Sequence, residues 1–200
     1  TAGLIYSTDH WALQNACRQA TEWQNKFPSN PPLFIAANLS ARNIKHPNLV
    51  DNINQVLQET KLEPDRLWLE ITEKVSAPDD EGAIEVLKKL RSTGVRISID
   101  DFDTGYSALN YLARFPVDVL KIDKSFVQMI GQEDDSQKII EMIKALANHL
   151  GLTVIAEGVE TAEQIPFLQS INCEYAQGFF YAKPLDAQAA TELLANRHSW

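Results

Sequence analysis

Short apolar runs alternate with segments of helical spacing along this chain. Runs rich in Ile, Val, Leu and aromatic residues at 33–39, 66–71, 95–99, 119–122, 153–156 and 174–180 predict buried β-strands. Between them, Leu49, Ile53, Val56 and Leu57 recur at the spacing of one helix face. Ile84, Leu87 and Leu90 do the same, and Ile139, Ile143, Leu146 and Leu150 give the clearest stripe. Gly94 and Gly151 each follow a helical segment and lead directly into a strand, where a left-handed residue ends a helix at least steric cost. Thr161 with Gln164 forms a capping-box pattern that opens a further helix. Alternation at this pace predicts a parallel sheet covered by helices. No low-complexity linker interrupts it, so residues 1–200 read as a single domain.

The polar residues at the strand ends separate an open sheet from a barrel. Asn38, Glu70, Asp100 with Asp101, Lys121 with Asp123, Glu157 and Gln177 all stand at the C-terminal end of a predicted strand. An open sheet gathers function at one switch point, whereas a barrel collects it from all its strand ends. The reading is therefore α/β, a TIM-type (β/α)8 barrel. Such a barrel takes about 250 residues and eight strands. With six strands legible, the expectation is a barrel truncated at its N-terminus, lacking about the first two strands.

Composition narrows the possibilities. The chain is 44% apolar and 22% charged, with a formal net charge of −9 and no basic block, which argues against a surface for long nucleic acid. A small phosphate ligand stays compatible, because cations held by acids can supply positive charge. Cys17 and Cys173 lie far apart outside any CxxC pair and read as reduced packing residues. No apolar run approaches the roughly 20 residues of a membrane span, and no signal peptide is visible. A cytoplasmic location is expected.

Asp100 and Asp101 would point to opposite faces of a continuous strand, but a bend at the strand end lets both reach one pocket. Adjacent carboxylates repel unless a cation intervenes, and the bland alternative is a turn in which they cap a helix. Asn38, Glu70 and Glu157 add hard oxygen donors at equivalent positions, which suit Mg²⁺, Mn²⁺ or Ca²⁺ rather than zinc. His10, His46, His149 and His198 fall on helical or loop segments and suggest no zinc site. Lys121 is costly to bury alone; it pairs with an acid, holds a water or phosphate oxygen, or forms a Schiff base. The spacing of Glu157 and Glu160 repeats that of Glu70 and Glu73, the first acid of each pair facing the pocket and the second bracing a loop or capping a helix. Gly178 permits close backbone approach beside Gln177; Phe179 or Phe180 either packs in the core or lies against a flat base.

The segments "NLS", "LEITE", "SIDDFDTGYSAL", "FPVDVLKIDKSFV", "VIAEGVET" and "AQGFFYAKPL" together resemble the EAL-domain family, bacterial phosphodiesterases of cyclic di-GMP, across nearly the whole chain. The resemblance implies a modified TIM barrel that binds two Mg²⁺ or Mn²⁺ ions, with Ca²⁺ as an inhibitory ion. It implies Asn38, Glu70 and Asp100 as ligands of the first metal, with Asp100 bridging to a second that Asp101 also binds. Glu157 matches the general base or a second-metal ligand, and Lys121 the lysine that positions water. Glu73 matches the acid that steadies the loop after the double Asp. Asp123, Glu160, Gln177 and Gly178 match the substrate-binding surroundings. The implied reaction hydrolyses cyclic di-GMP to linear pGpG, in a homodimer linked to GGDEF or sensor domains within a parent that a membrane anchor could tether.

Two departures qualify the match. The Glu-Ala-Leu motif and its strand are absent, so this piece is expected to be inactive alone. Asp103 stands where the family usually has Gly, placing an extra acid near the metals. The alternatives are a non-catalytic cyclic di-GMP receptor and a Schiff-base barrel enzyme using Lys121.

Overall fold

The computed structural model of the protein describes residues 2–29, 31–72, 81–102, 112, 114–132 and 134–196. They fall into two compact units, one drawn from 1–70, 81–96 and 184–200, the other from 71–80 and 97–183.

In the first unit, helix α1 (Ala2–Lys26) precedes strand β1 (Ile35–Asn38), the short helix α2 (Ala41–Ile44) and helix α3 (Leu49–Thr60). A 3-10 turn (Pro64–Arg66) leads into β2 (Leu67–Thr72), whose last two residues belong to the second unit. Helices α4 (Glu81–Ser92) and α8 (Ala187–Ala195) complete it. The predicted stripe of α3 is buried as Leu49, Ile53, Val56 and Leu57, and Thr60 Oγ1 closes the last turn on Val56 O at 2.7 Å. In α4 the buried face is Ala83, Ile84, Leu87 and Leu90. The apolar pattern did not reveal α1, a largely polar helix that buries Cys17 and Ala20. It is tied to α8 by Trp23 Nε1, which donates to Thr191 Oγ1 at 2.8 Å. Strands β1 and β2 pair in parallel from Ile35 opposite Leu67 to Asn38 opposite Glu70. β1 is shorter than the apolar run at 33–39, because Phe34 leaves the ladder to stack on Trp68 with ring centroids 3.6 Å apart.

The second unit carries β3 (Arg96–Phe102, entered from the first unit), β4 (Val119–Ile122), α5 (Lys124–Gln128), α6 (Asp134–Leu150), β5 (Thr153–Glu157), α7 (Gln164–Ser170) and β6 (Tyr175–Gln177). β3, β4, β5 and β6 pair in that order, all parallel. All four residues of β4 are buried, as a strand flanked on both sides and covered on both faces requires. The β3–β4 register shifts between Ile99 and Phe102, which supplies the bend expected at Asp100 and Asp101. β3 therefore runs past its predicted end. β6 stops short of the predicted 180: Gly178 O accepts from Tyr181 N at 3.1 Å, so the aromatic residues after Gly178 belong to a turn. Among the described residues, no helix is long and apolar enough to cross a membrane. Cys17 and Cys173 are free thiols, and burial pushes each up to about 11.

The inner face of α6 is rotated from the predicted stripe. Ile140, Ile143, Lys144 and Ala147 are buried, while Leu150 is exposed. A lysine takes a core position because it has a partner: Lys144 Nζ contacts Glu174 Oε1, and Glu174 Oε2 accepts from Val154 N at 2.9 Å. Burial lifts the Glu174 carboxyl, but Lys144 and the Val154 N–H outweigh that and hold it below its usual range.

Two stability predictions follow from this packing. Glu174→Gln leaves the Lys144 ammonium buried without its counter-charge and is expected to cost about 3 kcal/mol in chemical denaturation. Lys144→Met is expected to cost less, since the remaining carboxylate reaches solvent. Because the folded-state pKa of Glu174 is depressed, its contribution is present above the unfolded carboxylate value of about 4.3 and lost as pH falls through the folded value. The wild-type advantage over Glu174→Gln should therefore be larger at neutral pH than in acid. Separately, a Cβ on Gly178 would meet Val159 O at 2.1 Å, whereas one on Gly131 meets nothing within 4 Å. Gly178→Ala is expected to destabilise by about 3 kcal/mol. Gly131→Ala, strained only by its positive φ, should cost about 1 kcal/mol; equal effects would contradict the packing described.

Candidate active site

The strand-end residues fall into one group in each unit. In the first, the β1–β2 register sets Asn38 directly beside Glu70, and Leu39 N donates to Glu70 O at 2.7 Å, carrying the pairing one residue further. Asn38 is exposed and lines a cleft with Asp9, His10, Asn43 and Asn52. Asn43 is buried and donates through Nδ2 to Asp9 Oδ2 at 2.7 Å. Of the amide side chains at this cleft, Asn38 is the one that shares the strand-end position of Glu70.

The second group centres on Lys121. It stands on the fully buried β4 and is 3% exposed. Its ammonium contacts Asp100 Oδ1 at 2.7 Å and also reaches Glu157 Oε1. Gln177, opposite Glu157 in the β5–β6 register, donates from Nε2 to Glu157 Oε1 at 3.0 Å. One cation thus serves two carboxylates in a partly buried setting. Burial is the main cause that pushes the Glu157 carboxyl up, to about 7; Lys121 opposes the shift and Asp100 adds to it. A Glu with this proton affinity can accept a proton near neutral pH, and the surplus of carboxylate over ammonium favours further positive charge at the cluster.

Other predicted residues take supporting positions. Asp123 Oδ1 caps α5 by accepting from Ser125 N at 2.8 Å. Glu160 Oε1 accepts from Gln128 Nε2 at 2.8 Å. Gly178 lies against the Val159 backbone, the close approach its residue type permits. Phe179 is exposed, whereas Phe180 packs edge-on against Tyr181 at 5.3 Å. The side chain of Asp101, together with Glu73, Asp103 and His198, lies outside the described residues.

The sequence pattern did not single out Gln128, and marked Gln164 only as a capping residue. Gln164 is buried and makes three hydrogen bonds: its Oε1 accepts from Glu160 N at 2.7 Å and from Thr161 N at 3.0 Å, and its Nε2 donates to Val127 O at 2.8 Å. The capping pattern revealed the Thr161 contact; no local signal reveals the bond to Val127.

Among the described residues, no three acidic, imidazole or thiol side chains cluster closely enough to hold one cation. In the second unit the Lys121 ammonium contacts both acids. The donors themselves, carboxylate and amide oxygens, are those a hard divalent cation prefers, and the carboxylate surplus around Lys121 fits such an ion.

Comparison with known proteins identifies the family. The family model described as the EAL domain matches residues 1–184. The chain is 41% identical over 194 residues to the bifunctional diguanylate cyclase/cyclic di-GMP phosphodiesterase MucR of Pseudomonas aeruginosa, covering 97% of this chain and 28% of that protein. It spans about a quarter of the length of the curated relatives it matches. Among solved structures it is similar to the PaMucR phosphodiesterase in complex with c-di-GMP, with TM-score 0.84, 40% identity and coverage of 94% of this chain and 75% of that one. It is also similar to the manganese/c-di-GMP complex of Klebsiella pneumoniae BlrP1, with TM-score 0.80, 32% identity and coverage of 92% and 46%. These likenesses bear out the α/β barrel class expected from the strand ends. Because the family model matches residues 1–184, nearly the whole of this chain, the chain belongs to the EAL domain family.

Proposed function

We propose that this chain contributes the greater part of a catalytic domain that hydrolyses cyclic di-GMP to linear pGpG with the help of divalent cations. The observation that carries the reading is the Asp100–Lys121–Glu157 cluster, a buried ammonium shared by two carboxylates at adjoining strand ends. The names of the similar proteins support the substrate: MucR is a cyclic di-GMP phosphodiesterase, and the PaMucR and BlrP1 structures are complexes with that dinucleotide.

Asn38, Glu70, Asp100 and Asp101 would hold two Mg²⁺ or Mn²⁺ ions. When bound, such ions acidify water and neutralise charge developing on the phosphoryl oxygens. Glu157, with its raised proton affinity, takes the proton from the attacking water. Water oxygen bonds to phosphorus, the bond from phosphorus to the 3′ oxygen breaks, and that oxygen takes up a proton. The product is a linear dinucleotide with a 5′-phosphate and a free 3′-hydroxyl. Lys121 orients the water and offsets the repulsion between Asp100 and Glu157. Gln177 restrains Glu157 through its amide, and Asp123, Glu160 and Gly178 complete the dinucleotide's surroundings. Glu73 steadies the loop that follows the double Asp. The parent is a multidomain signalling protein, a reading supported by the share of its relatives that this chain spans.

The test is chromatography of cyclic di-GMP incubated with the full-length protein and Mn²⁺ or Mg²⁺. Linear pGpG should accumulate, and Lys121→Met should lower kcat by about 10²–10⁴-fold. Asp100→Asn should abolish turnover. Tight binding of intact dinucleotide without cleavage in either ion would overturn the reading in favour of a receptor.

A further inference from the structure

We infer that Gln164 is a positioning residue for Glu157, acting through the backbone of residues 158–161; the inference rests on Glu157 being the base proposed above. Glu157 is the last residue of β5, so its carboxylate is only as well placed as the chain that follows it. That chain is gripped on two sides.

Towards β6, Val159 N donates to Gln177 O and Phe180 N to Val159 O, both at 3.0 Å, and the Gly178 backbone presses against the same peptide. Towards α5, Gly158 has a φ of 73° and lies so near that an added Cβ would stand 2.5 Å from Lys124 Cβ. Gln164 closes this second side. At 4% exposure, its amide satisfies Glu160 N and Thr161 N and anchors both to Val127 O of α5. α5 begins three residues after Lys121, so the same amide joins the segment after the base to the segment after its lysine partner.

The neighbouring bond from Gln128 to Glu160 is exposed and competes with water, so it adds little to the grip. The bond of Gln164 to Val127 O is buried and the other two are part-buried; their loss leaves the Glu160 and Thr161 N–H groups without this acceptor, while Val127 O keeps Ile130 N. The segment would then settle elsewhere, and Glu157 with it. Small displacements of a reacting group cost rate more than binding.

The experiment uses the full-length protein. Gln164→Met removes all three bonds at similar volume, while Gln164→Glu keeps both acceptor bonds and loses the donor. For Gln164→Met, kcat per folded molecule is expected to fall about 10- to 100-fold. KM should stay within about threefold, the mark of an interaction realised in the transition state. Gln164→Glu should fall between that variant and wild type. In the wild-type protein, the amides of Glu160 and Thr161 should exchange with solvent as slowly as those of β5. Wild-type kcat in both variants, or Glu160 and Thr161 amides exchanging like open loop, overturns the inference. The exchange measurement needs no variant, so it decides even if Gln164→Met fails to fold. Wild-type protein that shows slow amides but no turnover would instead count against the phosphodiesterase reading.

Discussion

A lysine ammonium at the end of a buried strand, with two carboxylates and little water, is the constraint around which the second unit is arranged. Lys121 is 3% exposed, and an unpaired charge there would cost several kcal/mol. Asp100 arrives from β3 by way of the register shift after Ile99; Glu157 arrives from β5, which runs in unbroken register with β4 from Val119 opposite Thr153. Neither strand could slip by one residue without turning its acid to the opposite face and leaving the lysine uncompensated. The ion pairs thus help fix the register that creates them.

The second buried lysine of this unit makes an instructive contrast. Lys144 meets a single carboxylate, Glu174, whose other oxygen is taken by the Val154 N–H. Charge balances one to one, and the carboxyl is held below its usual range. At Lys121 the ratio is one cation to two acids, and Glu157 is pushed the other way. The same pair of residue types therefore gives a structural tie in one place and a proton-accepting group in the other. The difference lies in how many acids share the ammonium and how deeply they sit.

Loop packing extends this arrangement beyond the strands. Without a Cβ, Gly178 lies against the Val159 backbone and Gly158 against Lys124 Cβ, at distances a further side chain would not tolerate. Buried amides such as Gln164 then satisfy the peptide groups that this closeness removes from water. Glycines without a Cβ and a glutamine with three hydrogen bonds are complementary means of holding the same short segment.

Period and punctuation alone determined the strand–helix alternation, the faces of α3 and α4, the barrel class and the strand-end positions of Asn38, Glu70, Asp100, Lys121, Glu157 and Gln177, because each depends on neighbours within a few residues. Other features depended on partners distant in sequence. The polar helix α1 carries no strong apolar stripe, and it is held by contacts such as Trp23 to Thr191. The rotated face of α6 was hidden because a lysine reads as surface until Glu174, 30 residues on, is seen to neutralise it. The strand-like aromatic run after Gly178 was decided by a turn closing on Gly178 O. Lys121 illustrates the division most plainly: its sequence position announced that it needed an acid, and only the packed strands decided that it would have two.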